Sequence, residues 1–156
     1  MKNTSIIRLA GSIISFLIAG ILVIGQTGFA ESDTVLQKMQ QTKECRNCDL
    51  SDVDFSNADI RGVDLTGADL SGADLSSANL TFVKFRDAKL KGANLSNADL
   101  TNADLSGADL TNANLSGANL TGATVYGADL TDADLSGAVW TDGIKCQDGS
   151  SGGCLK

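Results

Sequence analysis

Apolar residues recur at every fifth position along most of this chain, and no other feature restricts its fold so strongly. Between Leu50 and Trp140 all nineteen residues at this spacing are Leu, Ile, Val, Phe or Trp. A small apolar residue, mostly Ala, stands two places before each of these central residues. A period of five fits neither the 3.6-residue period of a helix nor the alternation of a simple strand. The pattern therefore predicts a solenoid of short extended pieces, because self-similarity at a short fixed period is typical of that architecture.

The corner residue, two places after each central residue, predicts where the backbone bends. It is Gly, Asn or Asp in seventeen of the nineteen repeats, the exceptions being Ser77 and Phe82. Gly, Asn and Asp tolerate the left-handed conformation that tight turns require. The chain has no Pro, which fits a coil whose backbone N–H groups bind the next coil. Each repeat is therefore expected to end in a bend.

The run "GADLSGADLSSANL", residues 67–80, resembles the repeats of the pentapeptide-repeat proteins, and the resemblance covers residues 48–142. It implies an all-β fold, a right-handed quadrilateral parallel β-helix with about twenty residues per coil. The number of sides comes from the resemblance, since a period of five alone also permits three or five sides. The expected organisation is a signal peptide (1–30), a short N-terminal capping helix (31–44), the repeat β-helix (45–142) and a polar C-terminal tail (143–156).

The first thirty residues have the character of a secretory signal peptide. Basic residues precede an apolar run, and the small residues Gly28 and Ala30 precede a polar segment, so cleavage is expected before Glu31. The alternative is an uncleaved membrane anchor, although Leu9–Ile24 is shorter than the roughly 20 residues that span a bilayer. Export is expected, with no stable membrane association after cleavage, and the resemblance implies the periplasm or the thylakoid lumen.

Both ends of an open β-helix need covering, because they expose unpaired backbone groups. Residues 33–44 begin with Asp33 as a candidate N-cap and place apolar residues at helical spacing. We expect them to form a short helix over the first coil, and a disordered leader is the alternative. At the other end Trp140 takes a central position, and its ring is expected to plug the last coil.

The four cysteines lie in two groups at the two ends of the repeats. Those groups are separated by about five coils, or roughly 24 Å, whereas the Cα atoms of a disulfide are at most about 7 Å apart. Local pairs are therefore favoured. A disulfide between the two ends remains an alternative only because the tail can double back. For the segment "CRNC", a redox pair or half of a zinc site is disfavoured, because the motif does not open a helix and the chain has no His. The disulfide candidates are Cys45 with Cys48 and Cys146 with Cys154.

One irregular segment, residues 81–92, interrupts the acidic repeats with an aromatic corner residue and four cations. It is the candidate interaction patch of an otherwise acidic rod, and the alternative is that its cations only neutralise neighbouring aspartates. A calcium site on the Asp columns is disfavoured, because ligands on flat faces do not converge on an ion. The candidate patch consists of Phe82, Lys84, Arg86, Lys89 and Lys91.

Composition argues against most functional classes. Loss of Lys2 and Arg8 with the signal changes the formal charge from −7 to −9, and nucleic acid is an unsuitable ligand for such a surface. The chain has no His and no converging nucleophile and base, so we expect neither an enzyme nor a cofactor, nor a metal site.

The expected function is a non-enzymatic scaffold with an unknown protein partner. The resemblance offers one alternative, an acidic rod that mimics DNA and binds DNA gyrase, which the signal peptide disfavours. A glycan-active β-helix is disfavoured because the chain has only one Trp and one Tyr. Gyrase-binding members dimerise through an apolar C-terminal helix, whereas this tail is polar, so a monomer is expected.

Overall fold

The computed structural model describes residue 39 and residues 41–156. The predicted signal peptide and most of the predicted capping helix lie outside the described residues. Along the rest of the chain, residues twenty apart pair with one another, from Glu44 with Asp64 to Asn119 with Val139. Since each repeat has five residues, four repeats make one coil, and the coil has four sides.

Pairing along the coil is confined to single residues. In the described part of the chain no strand is longer than one paired residue, and the paired residue is the one directly before each central residue. The backbone bends every five residues, so an extended conformation cannot continue. Helical conformation is described for Met39, Gln41 and Thr42, so the bounds of the predicted helix are not tested.

Backbone hydrogen bonds join each coil to both of its neighbours. The N–H of Leu65 donates to the C=O of Lys84 in the next coil (2.8 Å), and the N–H of Asp64 donates to the C=O of Lys43 in the previous coil (2.8 Å). The same two bonds recur at most repeats. Each coil is therefore held by its neighbours rather than by itself, as expected of a solenoid.

Each bend is held by local hydrogen bonds that explain the repeat sequence. The N–H of Ala68 donates to the C=O of Leu65 across the turn (3.0 Å). The Oδ1 atom of Asp64 accepts hydrogen bonds from the N–H (3.1 Å) and the hydroxyl (2.6 Å) of Thr66. A side chain that caps the turn two residues later is an Asx turn. Asp or Asn before the central residue and Ser or Thr after it therefore have a structural role.

The central residues fill the interior of the coil. All twelve of them from Leu65 to Leu120 have 0% exposed surface. Fully burying such a side chain contributes about 1.5–3 kcal/mol. Burial declines near the C-terminal end, where Val125, Leu130 and Trp140 are partly exposed.

The first coil begins at a disulfide and a buried methionine. Cys45 and Cys48, in the positions of a central residue and its following Ala, are joined across the first bend with their Cα atoms 5.4 Å apart. Met39 is 1% exposed, and its C=O accepts a hydrogen bond from the N–H of Lys43 (2.9 Å).

The C-terminal tail, residues 143–156, folds back over the last coil. Lys145 pairs antiparallel with Val139, and Ser151 pairs antiparallel with Asp134. Cys146, which is 2% exposed, is bonded to Cys154 with a Cα separation of 5.1 Å. The tail therefore covers part of the C-terminal end of the coil. The prediction that the ring of Trp140 plugs this end is incomplete, because it leaves out the tail.

Candidate functional site

One of the four sides of the coil carries no net charge. This neutral face consists of residues 43–47, 63–67, 83–87, 103–107 and 123–127, which hold four cationic and four acidic side chains. Each of the other three sides has an excess of acidic side chains between residues 43 and 142. Net charge acts on association from a distance. The neutral face is therefore the side on which an acidic partner would be repelled least.

Salt bridges between successive coils join the charged groups of the neutral face. Asp64, whose side chain is only 7% exposed, contacts the guanidinium of Arg46 at 2.6 Å and the ammonium of Lys84 at 3.6 Å. Arg86 contacts Asp104 at 2.8 Å. This pairing agrees with the interpretation that the cations neutralise neighbouring aspartates. It also holds the exposed cationic groups in fixed positions.

The two paired carboxylates of this face remain ionised. Burial raises the pKa of Asp64, but hydrogen bonds from Thr66 and the charges of Arg46 and Lys84 outweigh burial and leave the pKa below its ordinary value. The pKa of Asp104 is lowered in the same way, with burial opposed by hydrogen bonds from Ser106 and Arg86. A general acid needs a raised pKa, so neither group suits proton donation.

Phe82 forms the corner that leads into the neutral face, and its φ of +59° lies in the left-handed region. The same corner is formed by Gly62, Asn102 and Gly122 in other coils, which are residue types that tolerate this conformation. For an ordinary residue it costs about 1–2 kcal/mol. The Phe82 side chain is 62% exposed, so burial offsets little of that cost. Strain that packing does not explain is typical of functional surfaces.

The structure divides the predicted interaction patch between two sides of the coil. Phe82, Lys84 and Arg86 border or lie on the neutral face, whereas Lys89 and Lys91 lie on the next side, beyond the corner at Asp87. The Lys89 ammonium contacts Asp69 at 3.1 Å. The five residues therefore lie on two adjacent sides of the coil rather than on one flat surface.

Tyr126 was missed by the sequence analysis and belongs to the neutral face. It lies forty residues after Arg86, which is two coils further along the same column. Its side chain is 86% exposed. Counting in steps of twenty residues from Arg86 would have found it, because side chains at that spacing stack in columns.

The Asp columns do not assemble a metal site in the described part of the chain. No group of three or more His, Cys, Asp or Glu side chains lies close enough there to hold a metal ion. The carboxylates instead cap their own turns, as Asp69 does for the N–H (3.1 Å) and hydroxyl (2.7 Å) of Ser71. Over the same residues no helix is long and apolar enough to cross a membrane.

Comparison with known proteins agrees with this architecture. The family described as pentapeptide repeats matches residues 44–76, 78–117 and 98–137 in eight copies. The crystal structure of HetL, a pentapeptide repeat protein involved in heterocyst differentiation regulation from the cyanobacterium Nostoc sp. strain PCC 7120, is similar with a TM-score of 0.64 and 38% identity. The match covers 65% of this chain and 48% of HetL, so the chain spans about half of that protein.

Two further structures show the range of the similarity. A pentapeptide repeat protein from the thylakoid lumen of Arabidopsis thaliana has 32% identity over 70% of this chain and 85% of its own, with a TM-score of 0.45. QnrB1, a plasmid-mediated fluoroquinolone resistance protein, has 25% identity over 61% of this chain and 66% of its own, with a TM-score of 0.36. A search of the curated proteins found no match. The repeat, the coil and the family match together show that this chain belongs to the pentapeptide-repeat family, whose members fold as right-handed quadrilateral β-helices.

Proposed function

We propose that the protein is a non-enzymatic scaffold that binds a partner protein through the neutral face. The observation that carries this proposal is the corner residue Phe82, an exposed aromatic side chain held in a strained backbone conformation. Most corners carry Gly, Asn or Asp. Replacing Phe82 with one of these residue types would therefore remove the strain without weakening the coil. HetL, at 38% identity, is described as taking part in regulation, and this is consistent with binding rather than catalysis.

The neutral face suggests the chemistry of the partner. Exposed aromatic and Arg side chains are the groups that contribute most to protein interfaces. Phe82 would enter an apolar pocket, while the exposed guanidinium of Arg86 would meet carboxylate or carbonyl oxygens beside it. Tyr126 lies two coils from Arg86, about 10 Å along the axis, and extends the same contact surface. A compact protein surface about that wide would contact all three groups.

Site-specific photo-crosslinking tests the proposed surface. A photoreactive amino acid is placed in turn at Phe82, at Tyr126 and at Lys91, and crosslinking is carried out in extract of the exported fraction of the source cell. The expected result is one adduct of common mass from positions 82 and 126 and none from position 91, which lies on the next side. Crosslinking from position 91 with none from position 82 would overturn the proposal.

We also propose that the chain acts after export, with residues 1–30 removed and a short helix ending near residue 42 covering the first coil. Buried Met39 and the hydrogen bond from Lys43 support the helix, and the pattern of the first thirty residues supports export. Cell fractionation followed by intact mass under non-reducing conditions tests the export. A mature chain beginning at Glu31, about 4 Da lighter than its reduced form because two disulfides are present, is the expected product.

The acidic charge of three sides favours a second candidate, the rod that mimics DNA and binds DNA gyrase. The fractionation experiment separates the two functions. A full-length product in the cytoplasm would favour gyrase binding, and purified protein would then be expected to inhibit DNA supercoiling by gyrase. An exported product cannot reach gyrase.

A further inference from the structure

The last two sides of the coil are covered by the C-terminal tail instead of by a further coil. The N–H of Leu135 donates to the C=O of Ser150 in the tail (2.8 Å). One coil earlier, the N–H of Leu115 donates in the same way to the C=O of Asp134 in the next coil (2.7 Å). The tail therefore takes the place of a coil over residues 133–142.

The tail buries the core residues that lie beneath it. Ala133 and Leu135 have 0% exposed surface, although they belong to the last coil. On the preceding side of this coil, Ala128 and Leu130 occupy the same positions in their repeat and are partly exposed. The tail distinguishes the two sides, since the N–H of Gly152 donates to the C=O of Ala133 (3.0 Å). Contact with the tail is therefore what keeps water from the interior of this side.

The tail has two parts, which are attached to the coil in different ways. Residues 143–146 continue directly from the last repeat, and the buried Cys146 donates its N–H to the C=O of Ala138 (2.7 Å). We call residues 147–156 the strap, and of these only Ser150 is buried. Burial of apolar surface is the main stabilising contribution to folding, so the strap gains little from it.

A disulfide supplies what burial does not. Besides the backbone hydrogen bonds of Ser150 and Gly152, the N–H of Gly149 donates to the hydroxyl of Ser136 (3.0 Å), and the ammonium of Lys156 contacts Asp142. That ion pair is exposed, and exposed ion pairs contribute little. The covalent link is the disulfide, which holds the Cα atoms of Cys146 and Cys154 5.1 Å apart.

We propose that the Cys146–Cys154 disulfide is a site of thiol–disulfide exchange with a protein dithiol of the CxxC class, and that its reduction releases the strap. Cys154 is partly exposed, whereas Cys146 is 2% exposed, so the reductant reaches Cys154. Its first thiolate attacks the Sγ of Cys154, and the Sγ of Cys146 leaves as a thiolate and takes a proton from water. The second thiolate of the reductant then displaces Cys154, which also takes a proton. Two electrons pass to this chain, and the reductant becomes a disulfide.

Reduction of the other disulfide has no such consequence. Cys45 and Cys48 are three residues apart and both belong to the first coil. The N–H of Cys45 donates to the C=O of Asp64 (2.8 Å), and the C=O of Cys48 accepts from the N–H of Asp69 (2.9 Å). The second coil therefore holds both residues whether or not they are bonded to each other. Only the disulfide of the tail couples the redox state to the covering of the coil.

Amide hydrogen exchange with and without excess dithiothreitol tests the release. After reduction, the amides of Leu135 and Gly152 should exchange roughly 50- to 100-fold faster, the factor expected when the loop of residues 146–154 loses its disulfide. The amide of Leu115, at the equivalent position one coil earlier, should exchange at an unchanged rate. If Leu135 exchanges equally slowly when mass measurement shows both disulfides reduced, the inference is wrong.

Two double variants assign the effect to one disulfide. Cys146→Ser with Cys154→Ser should show fast exchange at Leu135 without reductant and no further change with it. Cys45→Ser with Cys48→Ser keeps the tail disulfide, so Leu135 should still change from slow to fast exchange when dithiothreitol is added. Slow exchange in the first variant, or loss of the response in the second, would contradict the inference.

The reductant is tested with reduced thioredoxin as the probe, followed by alkylation of free thiols and peptide mass. Cys146–Cys154 should be reduced roughly tenfold faster than Cys45–Cys48, because access of the reductant limits exchange and the strap can open locally. Faster reduction of Cys45–Cys48 would overturn the assignment of the site. The neutral face is not involved, so this result and the crosslinking result are independent.

Discussion

The side-chain oxygen of Asn97 lies 2.6 Å from the point that a Cβ atom on Gly117 would occupy. Both are corner residues of the same corner, one coil apart. The same relation, at 2.3–2.5 Å, joins Asn47 to Gly67, Asp52 to Gly72, Asp87 to Gly107 and Asn102 to Gly122. At these five corners the Asn or Asp side chain occupies the space that a Cβ atom one coil later would need, whereas the Asn57 and Asn112 corners are followed by Ser77 and Asp132.

The cost of a side chain at a corner should depend on the corner one coil earlier. Gly92 and Gly117 have similar φ values of +65° and +68°, but nothing lies within 4 Å of a Cβ atom at Gly92. Gly92→Ala is expected to cost about 1 kcal/mol, since only the left-handed conformation opposes it. Gly117→Ala should cost more, because Asn97 must also move. Thermal unfolding of both variants measures the difference, and Asn97→Gly should remove it in a double-mutant cycle.

Replacing Phe82 with a residue suited to the corner should stabilise the fold. Phe82→Asn is expected to gain about 1 kcal/mol, since Asn tolerates the left-handed conformation, and to raise Tm by about 4–8 °C. Ser77→Asn, at another corner with a φ of +57°, is the control and should also stabilise the coil. Of the two variants, only Phe82→Asn should lose the crosslinked partner. A drop in Tm for Phe82→Asn would mean that the ring contributes to folding instead.

The contribution of a central leucine to the free energy of unfolding should be smaller toward the C-terminal end of the coil. Leu110 and Leu130 lie on the same side, one coil apart, but Leu110 is fully buried and Leu130 is partly exposed. Leu110→Ala is expected to cost about 2–5 kcal/mol, and Leu130→Ala clearly less. Denaturant unfolding of the two variants under the same conditions compares the two losses. Equal losses would show that the last coil is as well packed as the middle.

The protein should be less stable in acid, because the carboxylates that cap the turns have pKa values below their ordinary value in the folded chain. Hydrogen bonds from Ser51 and Ser71 lower the pKa of Asp49 and Asp69 below the unfolded value of 3.8. A lowered native pKa stabilises the fold fully above the unfolded value, and the effect is lost as pH falls through the native value. Tm in 0.5 M salt, which screens the net charge, should be constant from pH 7 to about 5 and fall below about 4.

A single conservative substitution tests the origin of that acid sensitivity. Asn can accept the same turn hydrogen bonds, as Asn79 does from the N–H (3.2 Å) and hydroxyl (2.9 Å) of Thr81. Asp69→Asn should therefore reduce the fall of Tm in acid while retaining most of the stability at pH 7, apart from the loss of the Lys89 contact. An unchanged acid profile would assign the sensitivity to other carboxylates.

The coil was predictable because one period governs its interior. Leu100 and its equivalents are apolar at every fifth place, and only a turn at each repeat can bury all of them. The left-handed corners were predictable because Gly, Asn or Asp recurs at almost every one of them. The number of sides was not, since it depends on pairing between Glu44 and Asp64, and a five-residue period says nothing about which repeats meet.

The candidate site was predictable only in part. Phe82 departs from the repeat and was therefore visible, but the grouping with Lys89 and Lys91 followed the order of the chain, and the corner at Asp87 separates them. Tyr126 occupies the place after a central residue that Ser or Thr fills in most repeats, and only its column, two coils beyond Arg86, associates it with the neutral face. The tail is held by hydrogen bonds that it accepts from the N–H groups of Leu135 and Trp140. No pattern in the sequence of the tail predicts these bonds.

A coil of twenty residues also limits how the gene for such a protein can change in length. Duplication of one complete coil would move Phe82 away from Tyr126 along the axis but leave both on the same side. Duplication of a single repeat would rotate everything after it by a quarter turn and assign each side a different set of charges. Lineages that depend on one side for recognition should therefore differ in length by multiples of four repeats, even though the interior would accept any number.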